Sequence, residues 1–286
     1  MMNNPLATII VVTRNRLEIL EKMLKETRRQ EDYAGLEIIV ANDAGEIDIK
    51  DRLKSSFPEI NFINFPRRLG LVESRNRLFK EAKGDFVFFL DDDSWFEQES
   101  AVLGAIEVFR QYPRAAILSF ALKLAGRESP YEVGSFTGCA HALRRSFFRG
   151  SDIYDGDYFR QGEERDLAIA ALEKGYTILQ VDGIRVYHEA SALERDHQLI
   201  HSYAFSNEMF FYLKYFPGIF SLLFMVKCLI AHAIFCLKKG WFKAYFWGWR
   251  RFLNNFAKFK KKRRAVKIKT LKKYLYLTLK TGGRAR

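Results

Sequence analysis

One stretch of nine residues constrains the fold of this chain more than any other. Residues 86–94 read FVFFLDDDS, so five apolar residues run directly into three aspartates. A short, continuous apolar run is typical of a strand that is buried on both faces, as the strands of a parallel sheet are. The aspartates then lie at the carboxyl end of the strand, which is the edge where open α/β sheets bind ligands.

Spacing within the acidic run indicates a cation site. Side chains two residues apart in an extended chain point the same way, so we expect Asp91 and Asp93 to converge while Asp92 points elsewhere. Converging carboxylates repel each other unless a cation neutralises them, and Mg2+ and Mn2+ are hard cations that prefer oxygen ligands. The alternative is an acidic turn that caps a helix beginning near Phe96, but a cap requires one aspartate rather than three.

Strands and helices alternate along the first third of the chain. Apolar runs predict strands at 7–12, 36–40 and 61–65, before the central strand that begins at residue 86. Apolar residues at helical spacing predict one helix that ends near residue 29 and another over about 72–83. This alternation predicts βαβ units, and therefore an α/β fold with a mostly parallel sheet and right-handed crossovers.

The pattern continues, less regularly, beyond the aspartates. It predicts a helix to about residue 112, a strand at 116–122 and a strand-like segment at 139–143. Residues 151–162 are aromatic and acidic and are expected to form a surface loop. A helix is predicted at 163–174, because Gly175 is a good stop signal, and two short strands are predicted at 177–181 and 184–187.

Charge is distributed unevenly along the 286 residues. The chain has 47 Lys and Arg against 34 Asp and Glu, yet residues 209–286 contain 20 of the basic residues and none of the acidic ones. We therefore expect a net acidic globular domain at 1–208 and a basic, aromatic tail at 209–286. Such asymmetry indicates an anionic surface as partner, either a membrane or a nucleic acid. The three cysteines lack paired metal-ligand spacing and fit a reducing compartment.

Four short motifs follow one another in a fixed order. They are Thr13-Arg14-Asn15-Arg16, then Asn42-Asp43, then Gly70 with Ser74-Arg75-Asn76, Gly84-Asp85 and Asp91-Asp92-Asp93, and last Gly162-Glu163-Glu164-Arg165-Asp166-Leu167 with Gly175-Tyr176 and His188. Over about residues 7–188 the chain resembles family-2 glycosyltransferases, in particular bacterial enzymes that extend lipopolysaccharide or exopolysaccharide chains. The resemblance implies the GT-A fold, which is Rossmann-like and binds nucleotides.

The resemblance also implies binding roles for the matching residues. The implied nucleotide-binding residues are Thr13, Asn15, Arg16, Asp43, Arg75, Asp91 and Asp92, and the implied metal ligands are Asp91, Asp93 and His188. Asp43 would accept a hydrogen bond from the pyrimidine ring, and Arg75 would lie near the base or the diphosphate. The alternatives are that Asp43 is a turn residue, that Arg75 is a solvated helix charge and that His188 is a structural histidine.

Acidic residues at the start of the helix predicted at 163–174 are the candidates for a catalytic base. The family usually has Glu-Asp where this chain has Glu163-Glu164, and the resemblance assigns the base to Glu164, with Asp166 as the second candidate. Carboxylates at a helix start are also favoured by the helix dipole alone. Tyr158-Phe159 would offer an aromatic platform for the acceptor sugar, or would belong to the core.

A 22-residue apolar run at 216–237 is long enough to span a bilayer. Lys227 and His232 interrupt it, and they fall with Ser221, Lys238 and Lys239 within one polar wedge of a helix. An apolar helix with a polar wedge favours a position in the membrane interface, and the following Lys and Arg residues suit anionic lipid. The alternative is a helical hairpin packed on the globular domain. We expect no nucleic-acid partner, because no known nucleic-acid module is present.

These observations predict a metal-dependent glycosyltransferase at the cytoplasmic face of the cell membrane, bound peripherally or monotopically, and the resemblance implies that it inverts the anomeric carbon. It would use Mn2+ or Mg2+ and move a hexosyl or deoxyhexosyl group from a UDP, dTDP or GDP sugar to a lipid-linked or glycan acceptor. One alternative is a nucleotidyltransferase, but Thr13-Arg14-Asn15-Arg16 lacks the glycine of a phosphate-binding loop. The other is a non-catalytic membrane adaptor on a transferase fold, against which the intact Asp91, Asp93 and Glu164 argue.

Overall fold

Nine strands and nine α-helices make up the part of the chain that the computed structural model describes, residues 6–123, 129–150, 152–189 and 196–280. The strands are β1 Ala7–Thr13, β2 Leu36–Asn42, β3 Asn61–Asn64, β4 Phe86–Asp91, β5 Ser94–Phe96, β6 Ala115–Ala121, β7 Tyr131–Glu132, β8 Ala140–Arg144 and β9 Thr177–His188. The helices are α1 Leu17–Thr27, α2 Ile49–Leu53, α3 Leu71–Glu81, α4 Ala101–Gln111, α5 Glu163–Glu173, α6 His197–Tyr215, α7 Gly218–Lys239, α8 Phe242–Lys261 and α9 Ile268–Lys280.

All nine strands join one sheet in the order β3-β2-β1-β4-β8-β6-β9-β5, with β7 paired to β9. The first four strands pair in parallel, as the βαβ pattern predicts. Beyond them β8 lies antiparallel between β4 and β6, so the complete sheet is mixed. The α/β prediction is confirmed. Because β1, β2 and β4 are parallel neighbours, their carboxyl ends meet at one edge of the sheet.

The central strand is buried on both faces, as its continuous apolar run predicts. Phe86, Phe88 and Leu90 pack into the core beneath α1, α2 and α4. Val87 and Phe89 point to the other face and pack into a second core with α3, α5 and α9. Each face of β4 therefore contributes to its own hydrophobic layer, and the aspartates are left at the end of the strand.

Three sequence predictions of local structure are wrong. Residues 94–96 form β5, which pairs antiparallel with β9, and the next helix begins only at Ala101. The segments 177–181 and 184–187 are one continuous strand, β9. The surface-loop prediction is wrong in part: residues 152–162 are irregular and several of them are exposed, but Tyr154 and Tyr158 are fully buried; Ser151 lies outside the described residues.

The C-terminal helices pack on one another and on the sheet domain. Ser202 in α6 donates a hydrogen bond to the Ala244 carbonyl in α8, and Ser221 in α7 donates to the Tyr212 carbonyl in α6. Helix α9 returns to the sheet domain, where Tyr274 belongs to the second core. The predicted domain boundary at 208/209 lies within α6, which runs through both predicted parts.

Close packing of α8 on α6 depends on Gly248. A Cβ atom at this position would lie 2.7 Å from a ring carbon of Phe205 and 2.9 Å from the Ser202 carbonyl oxygen. Gly104 in α4 is a matched control, because its Cβ would meet Ile184 at an ordinary 3.7 Å. Both Gly→Ala changes gain helix propensity equally, so Gly248→Ala is expected to be less stable than Gly104→Ala by roughly 1–3 kcal/mol, the usual cost of overpacking. Denaturant unfolding measures this difference; equal stabilities would contradict the packing.

Candidate functional site

The carboxyl ends of three neighbouring strands bring the sequence-predicted residues together. Thr13 lies opposite Asn42 in the β1/β2 register, and Val12 lies opposite Asp91 in the β1/β4 register. The Asp43 amide donates a hydrogen bond of 2.9 Å to the Thr13 carbonyl. The polar segments that follow β1, β2 and β4 are therefore adjacent, although they are far apart in the sequence.

Two arginines neutralise the three aspartates. Arg75 contacts Asp91 at 2.8 Å, and Arg16 contacts Asp92 at 2.6 Å and Asp93 at 2.7 Å. Strand alternation predicts that Asp92 points away from Asp93, but Arg16 contacts both. The alternation does not continue to these residues, because β4 ends at Asp91 and the chain turns after it. Charge compensation at this edge is thus largely supplied by the protein itself.

The carboxyl groups of Asp92 and Asp93 titrate differently. Burial raises the pKa of Asp92 to about 7, although Thr13 donates a hydrogen bond to it and Arg16 lies beside it. Burial also opposes ionisation of Asp93, but hydrogen bonds from His188 and Arg16 outweigh burial and lower its pKa. At neutral pH Asp93 is therefore the firmly anionic member of this pair.

His188, the last residue of β9, lies beside the aspartates. The β5/β9 register places it opposite Ser94, and its Nε2 atom lies 3.2 Å from an Asp93 carboxylate oxygen. Ligand atoms of His188, Asp91 and Cys139 all lie within 4.8 Å of one another. Carboxylates combined with an imidazole fit Mn2+, whereas Mg2+ prefers oxygen ligands alone. The donor set present therefore fits a divalent cation.

Cys139 is a site residue that sequence reasoning did not identify as a potential ligand. Burial, and then the charge of Asp91, raise the pKa of its thiol to about 12, so the thiol keeps its proton. A protonated thiol is a poor ligand for a hard cation. The resemblance implies that Gly138-Cys139-Ala140 lies beside the donor sugar and acceptor, but a lone cysteine without paired spacing gave no signal of a ligand role. The pairing of β4 with β8 brings this segment to the edge.

Asp43 connects the end of β2 to the loop before α3. Its carboxylate oxygens accept hydrogen bonds from the backbone amides of Leu69 at 2.6 Å and Gly70 at 2.9 Å. Asn15, which has a positive φ of 55°, accepts a hydrogen bond from the Glu46 amide. Asp43 and Asn15 therefore fix two loops that border the same edge, which goes beyond the role of a residue in a local turn.

Arg75 is buried, with an exposed fraction of 2%. This burial excludes the alternative that it is a solvated helix charge. Burial opposes its charge, but the carboxylates of Asp91, Glu163 and Glu164 outweigh burial and raise its pKa. The guanidinium group also lies 5.7 Å from the centre of the Phe89 ring. Arg75 is thus held between the aspartates of β4 and the acids of α5.

Glu163 and Glu164 form a close acidic pair at the start of α5. Burial, followed by the charge of Glu164, raises the pKa of Glu163 to about 8, and burial also raises the pKa of Glu164. The Oε2 atom of Glu163 has no hydrogen-bond partner among the described residues. The Glu164 carboxylate lies against Gly138, where a Cβ atom would be only 2.3 Å from its Oε1. Any side chain at position 138 would therefore displace the Glu164 carboxylate from its present position.

Asp166 has different surroundings from the two glutamates. Lys214 in α6, which is 2% exposed, binds Asp166 at 2.7 Å and Asp155 at 2.6 Å. Arg264 adds a longer contact to Asp166 at 3.6 Å. Asp166 is therefore committed to a buried ion pair with the C-terminal helices. Sequence reasoning missed Lys214, because it lies in the part of the chain that was predicted to be the tail.

The predicted aromatic platform is divided between core and surface. Tyr158 is completely buried and cannot present its ring to a sugar. Phe159 is exposed, and its ring stacks on Tyr203 of α6 with the ring centres 5.3 Å apart. The exposed aromatic surface beside the acidic motif is therefore Phe159 with Tyr203.

Comparison with protein families identifies half of the chain. Residues 8–152 match the family described as Glycosyl transferase family 2. An uncharacterized glycosyltransferase of Bacillus subtilis, YwdF, is 40% identical over 91 residues. The GalNAc(5)-diNAcBac-PP-undecaprenol beta-1,3-glucosyltransferase of Campylobacter jejuni is 38% identical over 93 residues. These matches span about a third of each relative and 31% of this chain.

Solved structures share the fold along most of the chain. The mannosyltransferase PcManGT from Pyrobaculum calidifontis, in complex with GDP-Man and Mn2+, has a TM-score of 0.61 at 14% identity and covers 89% of this chain and 88% of its own. S. aureus TarS 1-349 in complex with UDP-GlcNAc has a TM-score of 0.60 at 14% identity, covering 89% and 90%. The GT-A fold prediction is confirmed.

Proposed function

The chain belongs to glycosyl transferase family 2 and is a glycosyltransferase, and we propose that it is a metal-dependent, inverting enzyme that uses a nucleotide diphosphate sugar. The observation that carries this proposal is the assembly at one sheet edge of Asp91, Asp93 and His188 with the acidic pair of α5. An adaptor would not need such an assembly of buried, pKa-shifted acids, and a nucleotidyltransferase does not fit the family.

The donor pocket is proposed to lie over the ends of β1, β2 and β4. Thr13, Asn15 and Asp43 would border the nucleoside, and Arg16 and Arg75 would face the diphosphate, because guanidinium groups pair with phosphate oxygens. Solved structures with this fold contain GDP-Man, UDP or UDP-GlcNAc, which supports a nucleoside diphosphate sugar as the donor class. UDP, dTDP and GDP sugars are the candidates.

Asp91, Asp93 and His188 are proposed to hold the divalent cation. Two of the solved structures with this fold contain Mn2+ beside a nucleotide, which supports the same requirement here. When bound, the cation would stabilise the negative charge that develops on the diphosphate leaving group as the glycosidic bond breaks. Arg16 and Arg75 supply positive charge at the same edge from the protein itself.

Glu164 is proposed as the general base. Inversion in one displacement requires a group that accepts the acceptor hydroxyl proton and requires no covalent nucleophile. Burial raises the pKa of both glutamates, but Glu163 is only 3% exposed whereas Glu164 is partly exposed, so Glu164 is the one proposed to be ionised and to face the acceptor. The raised pKa of Glu164 makes it a stronger proton acceptor than an exposed carboxylate. Asp166 is the weaker candidate, because Lys214 and Arg264 hold it.

A membrane-bound acceptor is supported by the outward face of α7. This helix is long and apolar enough to cross a membrane, yet only 17% of its most apolar window is buried in the protein. Seven of its exposed apolar side chains form a stripe along the helix, and they are Ile219, Leu222, Leu223, Val226, Ile230, Ile234 and Leu237. A C. jejuni relative is named for an undecaprenol-linked acceptor. We propose that this stripe faces lipid and that the acceptor is lipid-linked or a glycan.

Packing of α7 on α6 favours a position in the interface over a span. Contacts run the length of both helices, from Ser221 with Tyr212 at one end to Phe235 with His201 at the other. A spanning α7 would carry the charged Glu208 of α6 into hydrocarbon, which is costly. The predicted polar wedge is divided: Ser221 and His232 face α6, while the three lysines are exposed. The protein would thus lie on the membrane surface, at the cytoplasmic face.

Replacing Glu164 by Gln tests the base. The change keeps the shape of the side chain and removes its capacity to accept a proton, so turnover should fall by ~10²–10⁴-fold. Affinity for the nucleotide sugar should be nearly unchanged, because the proton moves only in the transition state. Steady-state turnover with a panel of UDP, GDP and dTDP sugars, together with donor binding, measures both quantities.

Asp166→Asn is the matched control. It breaks a buried ion pair with Lys214, so it should lower the free energy of unfolding by roughly 3–5 kcal/mol. Turnover of the folded protein at low temperature should be kept. The base assignment to Glu164 is wrong if Asp166→Asn abolishes turnover at an unchanged melting temperature while Glu164→Gln stays active.

The membrane proposal is tested on the apolar stripe. Leu223 and Ile230 are 56% and 55% exposed, so the double change to Glu should leave the fold intact. Losing two inserted side chains of about 1.5–3 kcal/mol each should weaken binding to anionic vesicles roughly 100-fold or more. The matched control is the double change of Tyr112 and Leu122, exposed apolar residues of the sheet domain, to Glu. Equal cosedimentation of the two variants with vesicles would refute a lipid-facing α7.

A further inference from the structure

A second group of metal-ligating side chains lies between α6 and α7, outside the candidate active site. Glu208 comes from α6, and Cys228 and His232 come from α7. One ligand atom from each of the three residues lies within 4.8 Å of the others. Cys228 is only 4% exposed, and the other two are partly buried. No sequence pattern predicts this group, because Cys228 and Cys236 lack the paired spacing of a zinc motif.

We propose that Glu208, Cys228 and His232 bind Zn2+, which fastens α7 to α6. Cys228 and His232 are four residues apart in one helix, so their side chains lie on the same face. Thiolate, imidazole and carboxylate are the three ligand types that protein zinc sites use. The cysteine favours Zn2+ over Mg2+ and Mn2+, which prefer oxygen.

The ligand atoms lie at most about 1–1.5 Å further apart than zinc would require. Zinc–ligand distances of about 2.0–2.3 Å at tetrahedral angles place ligand atoms about 3.3–3.8 Å apart. His232 Nε2 already lies 3.1 Å from a Glu208 carboxylate oxygen. The other ring nitrogen of His232 lies 3.1 Å from His201 Nε2, so His201 would orient the ligand imidazole from behind.

Protons and charges are balanced when zinc binds to Glu208, Cys228 and His232. Zinc would replace the thiol proton of Cys228, and that proton would leave to solvent. The thiolate and the Glu208 carboxylate then neutralise the two charges of the ion. The alternative is a polar network without metal, in which His232 and Tyr212 donate hydrogen bonds to Glu208. The Cys228 thiol also belongs to that network, because it donates a hydrogen bond to Glu208 that a serine hydroxyl could replace. Zinc binding requires the thiolate itself, so the zinc content and the charge-transfer band of Cys228→Ser separate the two cases.

The test uses the purified full-length chain, with ZnCl2 as the probe. After saturation and dialysis, bound zinc is measured by elemental analysis, and Co2+ substitution reports thiolate ligation through a charge-transfer band. Cys228→Ser and His232→Ala should lose the zinc, and Cys228→Ser should lose the band. Cys236→Ser, a buried cysteine two turns further along α7, should keep both. Cys139→Ser and Asp93→Ala should also keep them, which separates this site from the candidate active site.

Thermal unfolding distinguishes a variant that has lost its zinc site from one that does not fold. In EDTA, Cys228→Ser and the unchanged protein should melt at nearly the same temperature, because Ser replaces a thiol with little change in volume. Added ZnCl2 should raise the melting temperature of the unchanged protein and of Cys236→Ser by more than that of Cys228→Ser, in which any remaining shift would come from the candidate active site. The proposal is overturned if the unchanged protein retains no zinc, or if Cys228→Ser retains as much zinc as Cys236→Ser. Neither measurement involves sugar transfer, so this result is independent of the proposed function.

Discussion

Mutual repulsion among carboxylates at the carboxyl edge of the sheet is the constraint on which the rest of the structure depends. Asp91, Asp92 and Asp93 end the central strand, and the two glutamates of α5 lie close by. Buried Arg75 stands between the two groups, and Arg16 bridges two of the aspartates. Arg16 and Arg75 are also proposed to line the donor pocket. The side chains that offset the repulsion in the folded protein are therefore the ones that would bind the diphosphate.

A second buried ion pair connects this edge to the C-terminal helices. Lys214 of α6 binds Asp166, in the first turn of the helix that carries Glu164. The orientation of the proposed base therefore depends on α6, and α6 also packs against α7, the helix that is proposed to face lipid. Helix α9 returns to the second core through Leu271, Tyr274 and Leu277. The basic C-terminal region is thus packed onto the domain that carries the candidate active site, and a membrane position of α7 would set the position of that site.

Features that depend on neighbouring residues could be predicted from the sequence, whereas contacts between distant residues could not. The buried central strand and the acidic edge were predictable, because apolar continuity and adjacent aspartates are visible within nine residues. Burial of Arg75 was not, since its partner Asp91 lies 16 residues away across a crossover. The pair of Lys214 with Asp166 spans 48 residues, and no local pattern marks it. Composition likewise predicted a membrane-associated tail. It could not show that α9 packs into the second core, because those contacts join residues far apart in the sequence.

The central claim is that the acidic edge binds a nucleoside diphosphate together with a divalent cation. The most direct measurement is the melting temperature of the full-length chain against UDP, GDP and dTDP at constant Mn2+, and again with a chelator, for the unchanged protein and Asp93→Ala. At about 100 times the dissociation constant, the binding nucleotide should stabilise the unchanged protein by about 2.7 kcal/mol, only with Mn2+ present, and should leave Asp93→Ala unshifted. A nucleotide shift that persists in chelator or in Asp93→Ala, or no shift with any nucleotide, would contradict the account.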